Sequence, residues 1–220
     1  MSLFVTGTDT EVGKTVVCGI LMRRYGATAD LGYWKPVATG AESDSDLETV
    51  RSLLDDDAAC PPEAFLFGPP VSPHLAARWA GASIDTAALV SRYEEIGAED
   101  TGRSWIVEGI GGLMVPLNDA GEVVADLIVA MGLPCLVVAR STLGTINHTL
   151  LTLEALRHRN VEVAGVVLNG PVNDDNREAI ERFGRTRVID TVPPLSSVDS
   201  TTVAETASGF DRVGALEQYL

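Results

Sequence analysis

The sequence predicts an α/β fold, a mostly parallel sheet with helices on both faces, as a single domain spanning 1–220. Three observations lead there. Short apolar runs alternate with stretches of helical periodicity, the order that right-handed strand–helix–strand units produce. The segment from Leu133 to Ala139 is apolar throughout, which suits a strand covered on both faces. Near the start, the apolar run Leu3 to Val5 leads through Thr6-Gly7-Thr8-Asp9-Thr10-Glu11-Val12-Gly13-Lys14 into a helix opening with Thr15. In such an arrangement the N–H groups of the turn and of the helix's first turn point at one spot. The helix dipole favours negative charge there.

That first unit reads as a phosphate loop, with Lys14 reaching terminal phosphates and the Thr15 hydroxyl ligating Mg²⁺. The usual spacing would put the loop's first glycine at position 8, which is Thr8, and the glycine sits one place earlier, at Gly7. The loop is therefore one residue longer than the common form. A glycine-rich turn of an ordinary α/β unit is the plain alternative. The apolar strand before the loop and the amphipathic helix after it favour phosphate binding.

Composition sets the bounds. At 220 residues, 45% hydrophobic and 21% charged, the chain suits one globular domain with a real core. A net charge of −15 argues against a nucleic-acid partner, which needs a basic footprint. It leaves room for a small nucleotide, held by one lysine, a helix terminus and a metal. Cys18, Cys60 and Cys135 are far apart among apolar neighbours and read as small core residues. The first apolar stretch is short and runs into the loop, so no signal peptide is legible. No apolar run approaches the roughly 20 residues of a membrane span. A soluble, cytoplasmic protein with no membrane partner is expected.

The remaining elements follow in order. Gly26 and Gly32 bracket a polar turn, and Tyr33 to Val37 reads as the second strand. Pro36 would interrupt a central strand, so this one ends near Lys35, at the edge where open α/β sheets bind ligands. Ser45 or Asp46 caps a helix through Leu47, Val50, Leu53 and Leu54. Asp55-Asp56-Asp57 reads as a solvated helix end, and Pro61-Pro62 and Pro69-Pro70 as loops. Ser72-Pro73-His74 opens a helix through Leu75, Ala76 and Trp79, with His74 structural. Ile84-Asp85 starts another, with Ala88, Leu89, Tyr93 and Ile96 on one side. Ser104 to Gly112 is a strand running into glycines. Its Glu108 stands where a Walker-B-type acid holds Mg²⁺ directly or through water. Beyond the strand of Leu133 to Ala139, a helix covers about 145–158, with Ile146, Leu150, Leu153 and Leu156 repeating helically. A strand covers Val161 to Leu168, ending in Asn169-Gly170-Pro171, and a helix about 174–183. Val188-Ile189 is a short strand leading to Val192-Pro193-Pro194-Leu195, and a last helix covers about 204–219 with a break near Gly209.

Five segments together make a specific resemblance. The run from Phe4 to Thr15 resembles the opening of the dethiobiotin synthetase family, whose phosphate loop carries the same extra residue. Lys35-Pro36-Val37-Ala38-Thr39-Gly40, Ser72-Pro73-His74, Val107-Glu108-Gly109-Ile110-Gly111-Gly112 and Leu143-Gly144-Thr145-Ile146-Asn147-His148 agree in order and spacing. Val192 to Leu195 extends the match. The loop alone indicates the P-loop NTPase fold, and the set indicates the family.

The resemblance implies an ATP- and Mg²⁺-dependent cyclo-ligase of biotin synthesis. It takes 7,8-diaminopelargonate, CO₂ (bicarbonate) and ATP to dethiobiotin, ADP and phosphate. By position, Thr10, Glu11, Val12, Gly13, Lys14 and Thr15 hold the phosphates, and Thr15, Asp46 and Glu108 ligate Mg²⁺. Asp44, two residues from Asp46, could take that acid's place. Lys35 pairs with the carbamate and the γ-phosphate, so Lys35 and Lys14 are the catalytic cations. Gly109 and Gly111 flank the acid. Asn169, Gly170, Pro193, Pro194 and Leu195 match the base-binding region, with Pro194 where some members carry an aromatic residue. Thr10, Lys35, Thr39, Gly144, Thr145, Ile146 and Asn147 match the substrate site. Thr39 stands where better-known members have serine. The helix opening at Gly144 reaches the substrate carboxylate across a homodimer interface in the family. Plain capping by Ser141, Thr142 or Thr145 is the alternative for that segment.

A rival class shares the superfamily. Partition and septum-placement ATPases are nucleotide-dependent switches and typically carry an extra lysine early in the loop, where this chain has Thr8, Asp9 and Thr10. Membrane-binding switches also use a basic amphipathic tail, and Ala215 to Leu220 is not basic. Amidoligases of the cobyrinate type need a further glutaminase domain, for which this chain is too short.

Overall fold

Alternate residues of the apolar strands go to opposite cores. Leu3 and Val5 pack on one side of the sheet and Phe4 on the other; Leu136 and Val138 oppose Cys135, Val137 and Ala139. Unbroken apolar runs therefore form strands buried on both faces, as parallel sheets require. The computed structural model describes residues 1–41, 45–54 and 58–220. Among them the order is β1 (Ser2–Gly7), α1 (Lys14–Tyr25), β2 (Leu31–Trp34), β3 (Val37–Thr39), α2 (Asp46–Leu53), β4 (Phe65–Phe67), α3 (Pro73–Trp79) and α4 (Thr86–Glu99). There follow β5 (Ser104–Gly112), α5 (Val124–Met131), β6 (Cys135–Arg140), α6 (Thr145–His158), β7 (Val163–Asn169), α7 (Asp174–Gly184), β8 (Val188–Val192) and α8 (Ser200–Gly209).

The main sheet runs β2-β5-β1-β6-β7-β8 with all pairs parallel. Helices α1, α2 and α8 contribute to one core; α3 to α7 contribute to the other. The predicted mostly parallel α/β sheet with helices on both faces is what the structure shows. Cys18, Cys60 and Cys135 are buried as small core residues.

Several boundaries differ from the sequence reading. The second strand stops at Trp34. Past Pro36 the chain enters β3, which pairs with β4 in a separate two-stranded sheet. The helix after it begins at Asp46, and Ser45 is the cap, its hydroxyl accepting from Glu48 N–H at 3.2 Å. On α4 the buried positions are Thr86, Leu89 and Ile96, with Ala88 exposed. Helix α5 and strands β3 and β4 are additional elements. The last helix starts at Ser200, capped by Asp199, and ends at Gly209. It does not run on to Tyr219, because Asp211 turns the chain at φ 43° and its carboxylate accepts the Ala215 and Leu216 N–H groups, each at 2.9 Å. A short 3₁₀ turn, Glu217–Tyr219, follows. The acidic run Asp55-Asp56-Asp57 and the alternative acid Asp44 lie outside the described residues.

Candidate functional site

The site forms where β1 and β2 end beside the middle of β5. Parallel pairing puts Val5 opposite Glu108 and Trp34 opposite Val107. One step past Trp34, Lys35 therefore comes level with Glu108. The loop from β1 then wraps back over these ends. Gly7 has to be a glycine, since a Cβ there would lie 2.8 Å from both the Asp9 carbonyl oxygen and a Val12 methyl. Gly13 is constrained twice. Its φ is 90°, and a Cβ would meet Asn169 Nδ2 at 2.1 Å. Asn169 Nδ2 itself donates to the Val12 carbonyl at 3.0 Å, tying the end of β7 to the loop. Arg140, at the end of β6, pairs with Asp9 at 2.6 Å from the other side.

Lys14 opens α1 buried, and its Nζ donates to the Asp9 carbonyl at 3.3 Å. Its pKa is drawn below the ordinary lysine value by burial and then by the Lys35 charge. Lys35 is 2% exposed. Its ammonium lies 2.5 Å from Asp46 Oδ2 and 2.7 Å from Glu108 Oε1, and donates to the Gly109 carbonyl at 3.2 Å. Burial alone would push this ammonium down, but Glu108 and Asp46 more than offset it and hold its pKa above the ordinary value. Burial would likewise raise the Asp46 carboxyl, and Lys35 and the Thr15 hydroxyl together hold it low. The Thr15 hydroxyl stands 2.8 Å from Asp46 Oδ1 and 3.0 Å from Glu108 Oε1. No other lysine exists in the chain, so both of its ammonium side chains are spent here.

Thr15, Asp46 and Glu108 thus converge as one hydroxyl and two carboxylates. Among the described residues no group of three His, Cys, Asp or Glu side chains could hold a metal alone. The hard-oxygen set fits Mg²⁺, which takes one or two carboxylates and fills its other positions with phosphate oxygens and water.

A cleft of about 690 Å³ opens over these groups. Its lining includes Thr10, Glu11, Gly13, Lys14, Thr15, Lys35, Thr39, Asp46, Glu108 and Gly111 from the expected site, and also Gly40 and Val198. Val12 is buried beneath the loop. Gly144, Thr145, Ile146 and Asn147 do not line this cleft. They open α6, whose N-cap is Gly144 at φ 94° with no side-chain hydrogen bond, so Ser141, Thr142 and Thr145 do not cap it. Asn169, Gly170, Pro193, Pro194 and Leu195 also lie outside its lining. Pro193 and Pro194 are exposed, and Leu195 packs against the α1-side core. A second cleft, about 490 Å³, shares Thr10 and runs between residues 112–116 and α6 at His148, Leu151, Thr152 and Ala155.

One residue at the site escaped the sequence reading. Tyr33, wholly buried, donates its hydroxyl to Glu108 Oε2 at 2.9 Å. Burial, and then the Glu108 charge, push its own ionisation well above the ordinary tyrosine value. A signal was available: in the strand the sequence reading ended near Lys35, Tyr33 stands two residues earlier and so on the same side.

A family model described as an AAA domain matches residues 1–202. The chain is 46% identical over 202 residues to the ATP-dependent dethiobiotin synthetase BioD of Paramagnetospirillum magneticum, covering 92% of each chain. The chain belongs to the dethiobiotin synthetase family. The synthetase of the same name from Neorickettsia sennetsu is 36% identical, and 100% of this chain covers 97% of that one. The biotin biosynthesis bifunctional protein BioCD of Bordetella avium is 45% identical over 207 residues, which make up 41% of that longer protein. Solved structures similar to this dethiobiotin synthetase family member share the fold. The MinC:MinD cell division complex of Aquifex aeolicus superposes with a TM-score of 0.57 at 12% identity, covering 94% of each chain. A ParA family ATPase from Chlorobium tepidum gives 0.56 at 11% identity, covering 94% of this chain and 97% of that one.

Proposed function

We propose that this chain closes a ureido ring in biotin synthesis, converting 7,8-diaminopelargonate, CO₂ and ATP to dethiobiotin, ADP and phosphate. One observation carries the reading beyond membership of an ATP-dependent family. A buried lysine just past the end of a second strand, Lys35, faces the phosphate-loop lysine's cleft between two carboxylates. Nucleotide binding alone gives no reason to place a second cation there. Ring closure does. One substrate amine takes up CO₂ and loses a proton, giving a carbamate. The carbamate oxygen attacks the γ-phosphorus and ADP leaves. The second amine then attacks the carbonyl carbon, phosphate leaves with the electrons of the C–O bond, and the new ureido nitrogen gives up one proton. The protein supplies no covalent nucleophile in this scheme. Its work is to hold carbamate against γ-phosphate and to neutralise charge, so positioning and electrostatics carry the rate.

In this assignment Lys14 and the loop N–H groups from Thr10 to Thr15 hold the phosphates, and Lys35 faces the carbamate and the transferring group. Thr39, at the cleft wall, offers a hydroxyl to the diamine. Thr15, Asp46 and Glu108 hold Mg²⁺, which supplies charge neutralisation on the phosphates. Asn169, Gly170 and Pro193 to Leu195 form the base side of the nucleotide site, flanked at the acid by Gly109 and Gly111. Phosphate release should require both diamine and bicarbonate, with dethiobiotin formed in equal amount. Release that ignores the omission of either would favour a nucleotide switch, the reading the MinD and ParA likeness would otherwise invite.

The second cleft supports a homodimer. Met114 and Leu151 line it and are 54% and 62% exposed, an apolar surface that a second copy would cover. The uncapped α6 N-terminus at Gly144 to Asn147 would then offer its N–H groups to a substrate carboxylate held by the partner copy. Light scattering of an active sample should give twice the mass of one chain, and a single-chain mass would rule this out. A cytoplasmic location fits a biosynthetic enzyme. Among the described residues no helix is long and apolar enough to cross a membrane.

A further inference from the structure

We infer that Tyr33 is a positioning residue for Glu108, fixing the rotation of its carboxylate so that one oxygen is presented to Thr15 and Lys35. The inference rests on the reading of Glu108 as a metal-site acid. Glu108 is 1% exposed, and a buried carboxylate needs hydrogen-bond donors on both oxygens. Oε1 is occupied by the groups of the cleft, Lys35 at 2.7 Å and Thr15 at 3.0 Å. Oε2 accepts from the hydroxyl of Tyr33, on β2, at 2.9 Å. The two oxygens therefore have separate duties. The Cys18 thiol also hydrogen-bonds Glu108, but a thiol is a weak donor, so once the Tyr33 hydroxyl is gone the strong donors all pull on Oε1 and nothing comparable fixes the rotation.

The strands make the arrangement rigid. Tyr33 pairs with Ile106 in the β2–β5 register, two residues before Glu108, and its ring is sealed in the core shared with Val17, Ile20 and Leu21. The phenol therefore crosses to Glu108 from a fixed backbone. Tyr33→Phe removes one hydroxyl and leaves the ring, so packing changes little. Partners that orient a metal's carboxylate ligands are worth tenfold to a hundredfold in metal affinity or activity.

The test measures binding without turnover. A non-hydrolysable ATP analogue is titrated calorimetrically into the full chain with and without Mg²⁺, and the ratio of the two affinities gives the metal coupling. For Tyr33→Phe, the coupling should fall by about tenfold while the affinity without Mg²⁺ stays within about twofold of wild type. Glu108→Gln, run alongside, should lose the coupling as well. Wild-type coupling in Tyr33→Phe, with coupling lost in Glu108→Gln, overturns the inference and leaves the metal assignment standing. Wild-type coupling in both overturns the metal assignment and this inference with it. Should Tyr33→Phe not fold, recovery of folding in the Glu108→Gln/Tyr33→Phe double variant supports the inference, and a double variant that also fails to fold while Glu108→Gln folds places Tyr33's role in packing and overturns it. The double variant removes the buried charge that needs the donor, so it should show the same coupling as Glu108→Gln alone. A further fall in the double variant would place Tyr33's effect elsewhere and overturn the inference.

Discussion

Lys14→Ala should lower kcat/KM by about a thousandfold or more, the upper end for losing one charged donor at a transferring group. It should also weaken nucleotide binding, because the loop has no other cation among its residues from Thr8 to Thr15. The same variant should melt close to wild type. Burial and the neighbouring Lys35 already disfavour the Lys14 ammonium, which is why its pKa is drawn down. The sign follows directly: a lysine whose folded pKa lies below its unfolded one costs stability in its charged form, so removing the charge cannot cost that term. What is lost is the packing of the stem and the bond to the Asp9 carbonyl, which water can replace. We expect Tm within about 3 °C of wild type, since 1 kcal/mol corresponds to roughly 2–4 °C at this chain length. Undiminished turnover would remove the phosphate-loop assignment. A collapse in Tm would show that Lys14 is held for the fold, contrary to the direction of its pKa.

The parts of this site that were legible in the sequence are those where local chemistry and chain order suffice. Gly13-Lys14-Thr15 after an apolar strand needs no tertiary knowledge, because a glycine in the left-handed region followed by a free helix start is a local structure. Lys35 was legible through Pro36, which cannot continue a central strand and so marks the strand's end. Glu108 was legible through the glycines that follow it. Tyr33 was harder because its importance lies in a cross-strand contact. Which neighbour it meets depends on the β2–β5 register, and periodicity within one strand does not supply that.

The missed elements have related causes. Helix α5 follows Pro116, Asn118-Asp119 and Gly121, which read as loop, and is apolar on nearly every side. Val124, Ala125, Leu127 and Ile128 are buried while Val129 is exposed, so no clear stripe marks it. Strands β3 and β4 span three residues each, too short for alternation to register. The early start of α8 lay in a polar Ser/Thr run, where only the Asp199 cap signals a helix.

Lys35→Gln should separate ring closure from simple nucleotide handling. Its ammonium contacts both Asp46 and Glu108 and lies at the end of a strand other than the one carrying the phosphate loop. If it faces the carbamate and the transferring phosphoryl group, its charge acts most where negative charge accumulates, in the transition state. Loss of such a donor costs on the order of 10²–10³ in rate, so dethiobiotin formation should slow at least about a hundredfold while nucleotide binds within a few-fold of wild type. The structure adds a stability term. Removing one partner of a buried ion pair costs about 3–5 kcal/mol when the other is left bare. Glu108 is not left bare here, because Tyr33 and Thr15 remain and the glutamine amide can donate in place of the ammonium. The cost should therefore fall at or below the lower figure, a Tm drop of up to roughly 12 °C at 2–4 °C per kcal/mol. That leaves a folded chain for kinetic work at 25 °C. Normal dethiobiotin formation by a folded Lys35→Gln variant would mean that the buried lysine serves only to neutralise Glu108 and Asp46. A matched loss of nucleotide affinity and rate would mean that it belongs to nucleotide binding, as in a switch. Only a loss confined to kcat places it at the reacting carbamate.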